Sequence, residues 1–576
     1  MSNEKLVQEK QPRFARWLAE PMFRNKNIYF KVALAAAMIN VFGLIVSLFT
    51  MTVYDRVVPN LAFDSLTALA IGVGIVLIFD FMLRILRAYF VDIAGADIDR
   101  QIGDNVFERL MRIRLDQKRG STGQLTGMMR ELETLRDFFA SASITAVVDV
   151  PFIVITLIFI GAIGGPIVWV PIIIIPFVII AGWATHPALD RLAARSMNGG
   201  LFKQSVLVES ISSLEMVKTS GAGGLMRKRW LAAIDEHSDS SLRQRLVSTI
   251  AVTIATSANS IAYIGVVIVG VFLIAEREMT TGALVACSIL AGRAVQPLTQ
   301  IATLLSRISA TRTAYAQING MMSIPSEGPL GEPLHPSRLK GRIELRGVDF
   351  KYPGATEKTL ENFNLTIEPG QRVAFIGRVG SGKSTLARLM LGLYQPQEGL
   401  VMIDGTDIRQ YDTLGLRANI GTALQETVLL SGTVRENIAL DRPHIDDTEM
   451  LRASEIAGAH GFMGQITNGY DLKLADRGEG LSGGQRQSIT LARALAGGPP
   501  ILIFDEPTSA MDSQTENQLI DRLVDETKGK TLVLITHRTG LLRLADRIVI
   551  VDKGKVAADG PREQILAQLQ RPRVAA

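Results

Sequence analysis

The residues with the plainest chemistry lie in the second half of the chain. There Gly377-Arg378-Val379-Gly380-Ser381-Gly382-Lys383-Ser384-Thr385 follows the apolar run 372–376 and precedes a helical pattern. A glycine-rich loop between a strand and a helix lets backbone N–H groups approach phosphate oxygens, and the helix N-terminus favours their negative charge. In such a loop Lys383 reaches the β- and γ-phosphates of a nucleotide and the Ser384 hydroxyl ligates Mg²⁺. A second apolar run, 501–504, ends in Asp505-Glu506. An aspartate at that point holds the Mg²⁺, typically through water, and the next carboxylate polarises the attacking water. An acidic pair after an apolar strand is commonplace alone; beside a phosphate-binding loop it is informative.

Between the two stands Leu481-Ser482-Gly483-Gly484-Gln485-Arg486-Gln487, which resembles the signature of the ATP-binding-cassette (ABC) family. The resemblance covers 341 to about 570, with every expected motif in order. It implies that Tyr352 stacks on adenine and that Gln425 senses Mg²⁺ and contacts the membrane part. It also implies that 509–512 communicates between subunits and that His537 contacts the γ-phosphate. Lys383, Gln425, Glu506 and His537 are then the catalytic set, and Ser384, Gln425 and Asp505 the Mg²⁺ set, with ATP and Mg²⁺ as cofactors. Cassettes of this family pair head to tail, so Ser482, Gly483, Gly484, Gln485 and Asp512 would complete the partner's site in trans. One cassette per chain implies a homodimer, with a heterodimer of different half-transporters as the alternative. Taken singly, each residue has a duller reading; Tyr352, for instance, could simply pack beside Pro353.

These residues need an α/β frame, and strands alternating with helices from Gly341 supply the pattern for one over 341–576. The stretch 321–340 carries four prolines and reads as a linker. The first 320 residues differ. The chain is 47% hydrophobic with a mean hydropathy of +0.23, and its long uncharged runs crowd that first part. Six runs reach the roughly 20 apolar residues a bilayer span needs: 28–51, 66–90, 144–165, 167–183, 247–275 and 280–306. The fold class expected is an all-α six-helix transmembrane domain (28–320), followed by the linker and the α/β nucleotide-binding domain. Short, charge-poor links alternate with long ones rich in Arg and Lys, 91–143 and 185–246. By the positive-inside rule the long links, the N-terminal segment 1–27 and the nucleotide-binding domain are cytoplasmic. Helical spacing in 97–115 and 123–139 implies that the second to fifth spans continue into the cytoplasm, against separate amphipathic helices lying on the membrane. The net charge of +5 is accounted for by these flanks and does not argue for nucleic acid. A single cysteine, Cys287, excludes an intramolecular disulfide and reads as a packing residue. The N-terminus has no signal-peptide pattern.

The membrane part resembles the six-helix exporter fold of the family, in which short coupling helices in the long links touch the cassettes; 115–120 and 208–216 are the candidates. Val53-Tyr54-Asp55-Arg56-Val57-Val58-Pro59, Asp149-Val150-Pro151, Thr508–Asp512 and Thr536-His537-Arg538-Thr539 resemble the type I secretion group. That resemblance implies an inner-membrane ATPase moving a polypeptide cargo, joined by a periplasmic adaptor and an outer-membrane channel. Only some 27 residues precede the first span, so the peptidase-like module of many haemolysin-type exporters is expected to be absent, and with it leader-peptide maturation. The alternative is an exporter of lipid, glycolipid or a small peptide on the same chassis. A soluble ATPase is disfavoured by the six spans, and a gated channel by the retained Glu506. Arg293 falls near the middle of the sixth span, where a charge costs about 3 kcal/mol unless it meets water or a partner. It is expected to line the translocation path, against a structural ion pair. Asp80, Arg84, Arg87 and Asp149 are expected to pair or to snorkel.

Overall fold

The computed structural model describes residues 15–117, 121–139, 143–328 and 331–570. It divides into two compact units: 1–111 with 119–324, and 112–118 with 325–576.

Five helical runs among the described residues are long and apolar enough to cross a membrane, and the run from Asp149 to Ser212 is two spans in one. Its helix Ser143–Gly164 stops at a 3₁₀ turn, Gly165–Val168, and Trp169–Ser212 follows. Gly165 takes a φ of +53°, and Pro166 has no N–H to continue the ladder. The chain reverses there. Ile153 and Val178 would lie roughly 37 Å apart on a continuous helix, yet both pack in one cluster with Val295, Leu298 and Ala302. Ile160 and Ile167 meet Met279, Ala283 and Cys287 a few turns away. The spans are therefore Lys26–Thr52, Phe63–Met111, Ser143–Gly164, Trp169–Ser212, Gly223–Ala275 and Thr281–Met322, and their number is the expected six. The second, fourth and fifth run many turns past the hydrocarbon thickness, as the helical spacing of the links implies; the third does not, and the sixth, outside that expectation, does.

The links depart from expectation in two places. The segment 123–139 is not one extension of the third span but two helices, Thr122–Arg130 and Leu132–Phe139. In the second long link the short helix is Leu214–Thr219, whereas 208–216 straddles the end of the fourth span; the turn at Ser213 falls later than the family resemblance suggested. Ile211, Leu214 and Met216 are exposed at this tip. In the first link 115–117 forms a 3₁₀ turn, while 118–120 lie outside the described residues.

Close packing explains several residues. Trp17, in the amphipathic helix Arg16–Arg24, stacks on Tyr315 and donates to Asn319 Oδ1 at 3.2 Å. Asp55 sits in a π-helical turn, Val53–Val57, and accepts from Thr280 Oγ1 (2.7 Å) and Gly282 N (2.8 Å), so the first motif of 53–59 pins the start of the sixth span. Cys287 is buried against Gly164. Asp80 pairs with Arg84 at 2.6 Å and Asp149 accepts from Asn40 Nδ2 at 2.7 Å, as expected of intramembrane charges. Arg293 behaves otherwise. Its guanidinium lies on the bare Cα of Gly43, where an added Cβ would fall 1.4 Å from Nη1, and the charges of Asp80 and Arg84 act on it from a distance.

The second unit carries two larger sheets and a two-stranded antiparallel ribbon, Gly432–Thr433 with Lys473–Leu474. Four strands, ordered Leu360–Ile367, Ile343–Phe350, Glu398–Ile403 and Thr406–Asp407, are antiparallel. The six-stranded sheet runs Lys555–Pro561, Arg547–Asp552, Arg372–Ile376, Thr531–Ile535, Ile501–Asp505, Ile420–Ala423, parallel except for the first strand. Ile501–Asp505 and Thr531–Ile535 are buried along their whole length, as a parallel sheet covered on both faces requires. Ile501 and Ile503 face a core shared with the antiparallel sheet, while Leu502 and Phe504 face one shared with the helices Gly483–Leu495 and Ser513–Glu526. The segment 112–117 adds to this unit: Ile113 bridges Ser326, and Glu327 N donates to Arg112 O at 2.6 Å.

Gly43→Ala should destabilise the protein by about 1 kcal/mol, the low end of the cost of overpacking, because only the movable end of the Arg293 side chain must give way; a lower melting temperature in detergent reads it. Adding Arg293→Ala should restore most of the loss, because the clash is with that side chain. If the double variant melts no higher than Gly43→Ala alone, the contact does not explain the glycine.

Candidate functional site

Four loops leave the same edge of the parallel sheet, and register brings them together. Phe375 pairs with Ile535, Ile535 with Asp505, and Phe504 with Ala423. The next residues along each strand are therefore neighbours: Gly377 onward, Thr536-His537, Asp505-Glu506 and, two places beyond Ala423, Gln425. The crevice outside the carboxyl ends of parallel strands is where α/β folds bind ligands.

The first loop is shaped by glycine. Gly377, Gly380 and Gly382 take φ of 152°, 82° and 101°, and a Cβ on Gly377 would fall 2.1 Å from Val551 O. Arg378 and Val379 form the outer turn, with Val379 fully exposed. Lys383 opens the helix Lys383–Met390, and its Nζ donates to Gly377 O at 2.9 Å and Arg378 O at 2.8 Å. The ammonium thus lies folded over its own loop, within donor range of carbonyls that a phosphate would replace. Burial pulls its pKa down from the ordinary lysine value, while Glu506 and Asp505 oppose that shift. Thr385 is buried, its hydroxyl 3.1 Å from Tyr352 OH, and Arg388 Nη1 donates to the same phenol at 3.0 Å. Tyr352 meets Phe350 and Tyr394 edge-on. Sequence reading gave no part to Arg388 or Tyr394, which hold the tyrosine; only the helical offset from Lys383 could have suggested Arg388.

Asp505 ends its strand 3% exposed, with Oδ1 buried and without a hydrogen-bond partner. Burial raises its carboxyl above the usual range, partly opposed by hydrogen bonding from Ser384. A buried carboxylate oxygen lacking a partner, beside the Ser384 hydroxyl, fits a divalent cation. Glu506 follows at φ +51°, a left-handed conformation rare outside glycine. Its Oε1 lies 2.6 Å from His537 Nδ1 and accepts from His537 N at 3.1 Å. The structure thus joins Lys383, Ser384, Asp505, Glu506 and His537. Gln425 shares their edge of the sheet but is exposed.

The signature residues lie elsewhere in the unit, at the start of the helix Gly483–Leu495. Ser482 Oγ accepts from Gln485 N at 3.2 Å, and Gln485 Oε1 from Ser482 N at 2.8 Å, a capping box that leaves the N–H groups of Gly483 and Gly484 facing outward at a helix N-terminus. Asp512 is committed to its own helix. It accepts from Gln514 N and Thr515 N, bonds that hold its carboxyl below the usual range. Two residues quoted within the motifs but given no role are well placed. Gln487 reaches the Glu506 loop, and Arg538 donates to Ser509 O at 3.1 Å and Met511 O at 3.3 Å.

Known proteins resemble this chain in sequence and in fold. A family model described as the ABC transporter transmembrane region matches residues 29–298, and the ABC transporter model matches 360–509. The chain is 32% identical over 552 residues to the cyclolysin secretion/processing ATP-binding protein CyaB of Bordetella pertussis, covering 96% of this chain and 77% of that protein. It is 31% identical over 563 residues to the leukotoxin translocation ATP-binding protein LktB of Mannheimia haemolytica, covering 96% and 78%. In fold it is similar to a bacterial Atm1-family ABC exporter solved with ATP bound, at a TM-score of 0.84 and 22% identity over 97% and 99% of the two chains.

Glu506→Gln should retain ATP binding and slow hydrolysis by about 10²–10⁴, since shape is kept and the charge that polarises water is lost. Lys383→Ala should weaken ATP binding itself. Wild-type turnover by Glu506→Gln would remove Glu506 from the catalytic role.

Proposed function

The chain belongs to the ABC transporter family, as an exporter whose membrane-spanning and ATP-binding parts share one polypeptide and whose ATP hydrolysis drives transport, and on that premise we propose that it is a homodimer of the inner membrane moving an unfolded polypeptide out of the cytoplasm. The observation that carries this reading is the likeness, over nearly the whole chain, to proteins named for secretion of cyclolysin and translocation of leukotoxin.

In the proposed mechanism the 377–385 loop cradles the triphosphate, Lys383 exchanges its loop carbonyls for phosphate oxygens, and Tyr352 offers an aromatic surface to adenine. Ser384, Asp505 and, across the sheet edge, Gln425 would hold Mg²⁺, which supplies charge neutralisation on the β- and γ-phosphates. Glu506 polarises the attacking water, and His537, bonded to the same carboxylate, orients it and reaches the γ-phosphate. The helix N-terminus at Ser482–Gln485 faces outward with free N–H groups and suits a phosphate presented by a partner. Asp512 then acts by shaping its loop. The exposed Ile211, Leu214 and Met216 would dock on a cassette as a coupling tip. Arg293, half-buried against Gly43 and within electrostatic reach of Asp80 and Arg84, would line the path. A periplasmic adaptor and an outer-membrane channel complete the proposed route, with the N-terminus and cassette cytoplasmic.

Mixing Lys383→Ala chains with Ser482→Arg chains should restore hydrolysis from two inactive parents, because mixed dimers hold one intact composite site. Full activity in a verified monomer would refute the head-to-tail pairing. In proteoliposomes an unfolded polypeptide cargo should alter ATP turnover, and Arg293→Glu should weaken that response. Turnover that responds to lipid or glycolipid and not to polypeptide would favour the alternative exporter.

A further inference from the structure

Gln487 lies in the second turn of the signature helix, 2% exposed, and its amide is spent almost wholly on one neighbouring loop. Nε2 donates to Glu506 O at 3.0 Å and to Ser509 Oγ at 3.1 Å, and Oε1 accepts from Ala510 N at 3.0 Å. The loop so gripped begins at the residue whose left-handed backbone aims the hydrolytic carboxylate. Arg538 holds the same loop through Ser509 O and Met511 O and pairs with Glu516. Arg538 is also the residue after His537, which bonds Glu506. The loop therefore cannot shift without moving the carboxylate, and the signature helix cannot shift without moving the loop.

We propose that Gln487 is a positioning residue through which nucleotide held against a subunit's own signature loop governs hydrolysis at that subunit's own Glu506. This rests on the head-to-tail dimer, because there the signature loop touches the nucleotide of one site while Glu506 of the same chain works in the other. Gln487 is the short mechanical link between them: one helical turn separates it from the capping box of Ser482 and Gln485, and one hydrogen bond separates it from the Glu506 carbonyl. When the partner's phosphate draws on the signature helix N-terminus, the pull arrives at the carbonyl of the strained residue. A buried amide that merely glued the helix to the loop would affect the rate without regard to the state of the second site. A link makes the rate depend on that state.

The test uses full-length mixed dimers, purified through two different tags, in which only one subunit, X, can hydrolyse. Its partner carries either Glu506→Gln, so that the second site fills without turning over, or Lys383→Ala, so that it stays empty. With wild-type X, filling the second site should raise the rate at least about fivefold, within the usual range of site-to-site coupling. With Gln487→Met in X, which keeps length and burial and removes the amide, the ratio should fall to about one, with kcat lowered and KM for ATP changed less than about twofold. Gln487→Glu, which keeps the acceptor for Ala510 N but loses the donor to Glu506 O, should give the same loss of ratio and serves if the Met variant does not fold. A reduced rate with the wild-type ratio preserved, in whichever variant folds, overturns the proposal and leaves the dimer reading standing. A ratio of one with wild-type X shows that the sites are uncoupled and overturns the proposal, while full activity of X in a verified monomer overturns the dimer reading and the proposal with it.

Discussion

The ATP-binding part depends on one constraint: a glutamate must stand immediately after a fully buried strand in a backbone conformation that disfavours side chains. A non-glycine residue in the left-handed region costs of order 1–3 kcal/mol and persists only where its surroundings over-determine it. Glu506 is over-determined. Its N–H is tied to Ile535 O at 2.9 Å, its carbonyl to Gln487, and its carboxylate to His537. The parallel sheet supplies the fixed frame, since Ile501–Asp505 lies between two strands of the same direction and is buried throughout. The strained turn lets Asp505 remain inside, an oxygen free for a cation, while the next carboxylate faces outward.

The membrane part meets the opposite demand, holding long helices together where neither water nor apolar surface distinguishes neighbours. Small residues do much of it. Gly164 admits Cys287, Gly199 lies against His237, and Ala255, Ala258 and Ala262 are buried along one face of the fifth span. Polar groups are used sparingly and in pairs, Asp80 with Arg84 and Asn40 with Asp149.

Sequence alone carried the motifs and the class of fold because both depend on local order. A glycine loop between strand and helix, or twenty apolar residues in a row, is visible at short range. What sequence hid depends on geometry. The family resemblance suggested 208–216 for the second coupling segment, but the break comes at Ser213, where the backbone turns. Asp512 reads as a free carboxylate until the next helix is seen to consume it. Gln487 and Arg538 are unremarkable inside motifs read for their neighbours; their meaning lies in contacts across 20 or more positions, Gln487 to Ala510 and Arg538 to Ser509 among them. Gly43 and Arg293 lie 250 positions apart, and no pattern in either span announces that one makes room for the other.

Residues 112–117, although they follow the second span directly, fold as part of the ATP-binding unit. The domain boundary is therefore not a single cut in the polypeptide. A fragment beginning at the start of the linker would lack this strip, leaving the backbone at Pro325 and Glu327 without the Arg114 and Arg112 groups that satisfy it. Shuffling cassettes between half-transporters, whether by recombination or at the bench, has to carry two separated stretches of chain at once. The inserted strip makes the two parts inherit as one piece.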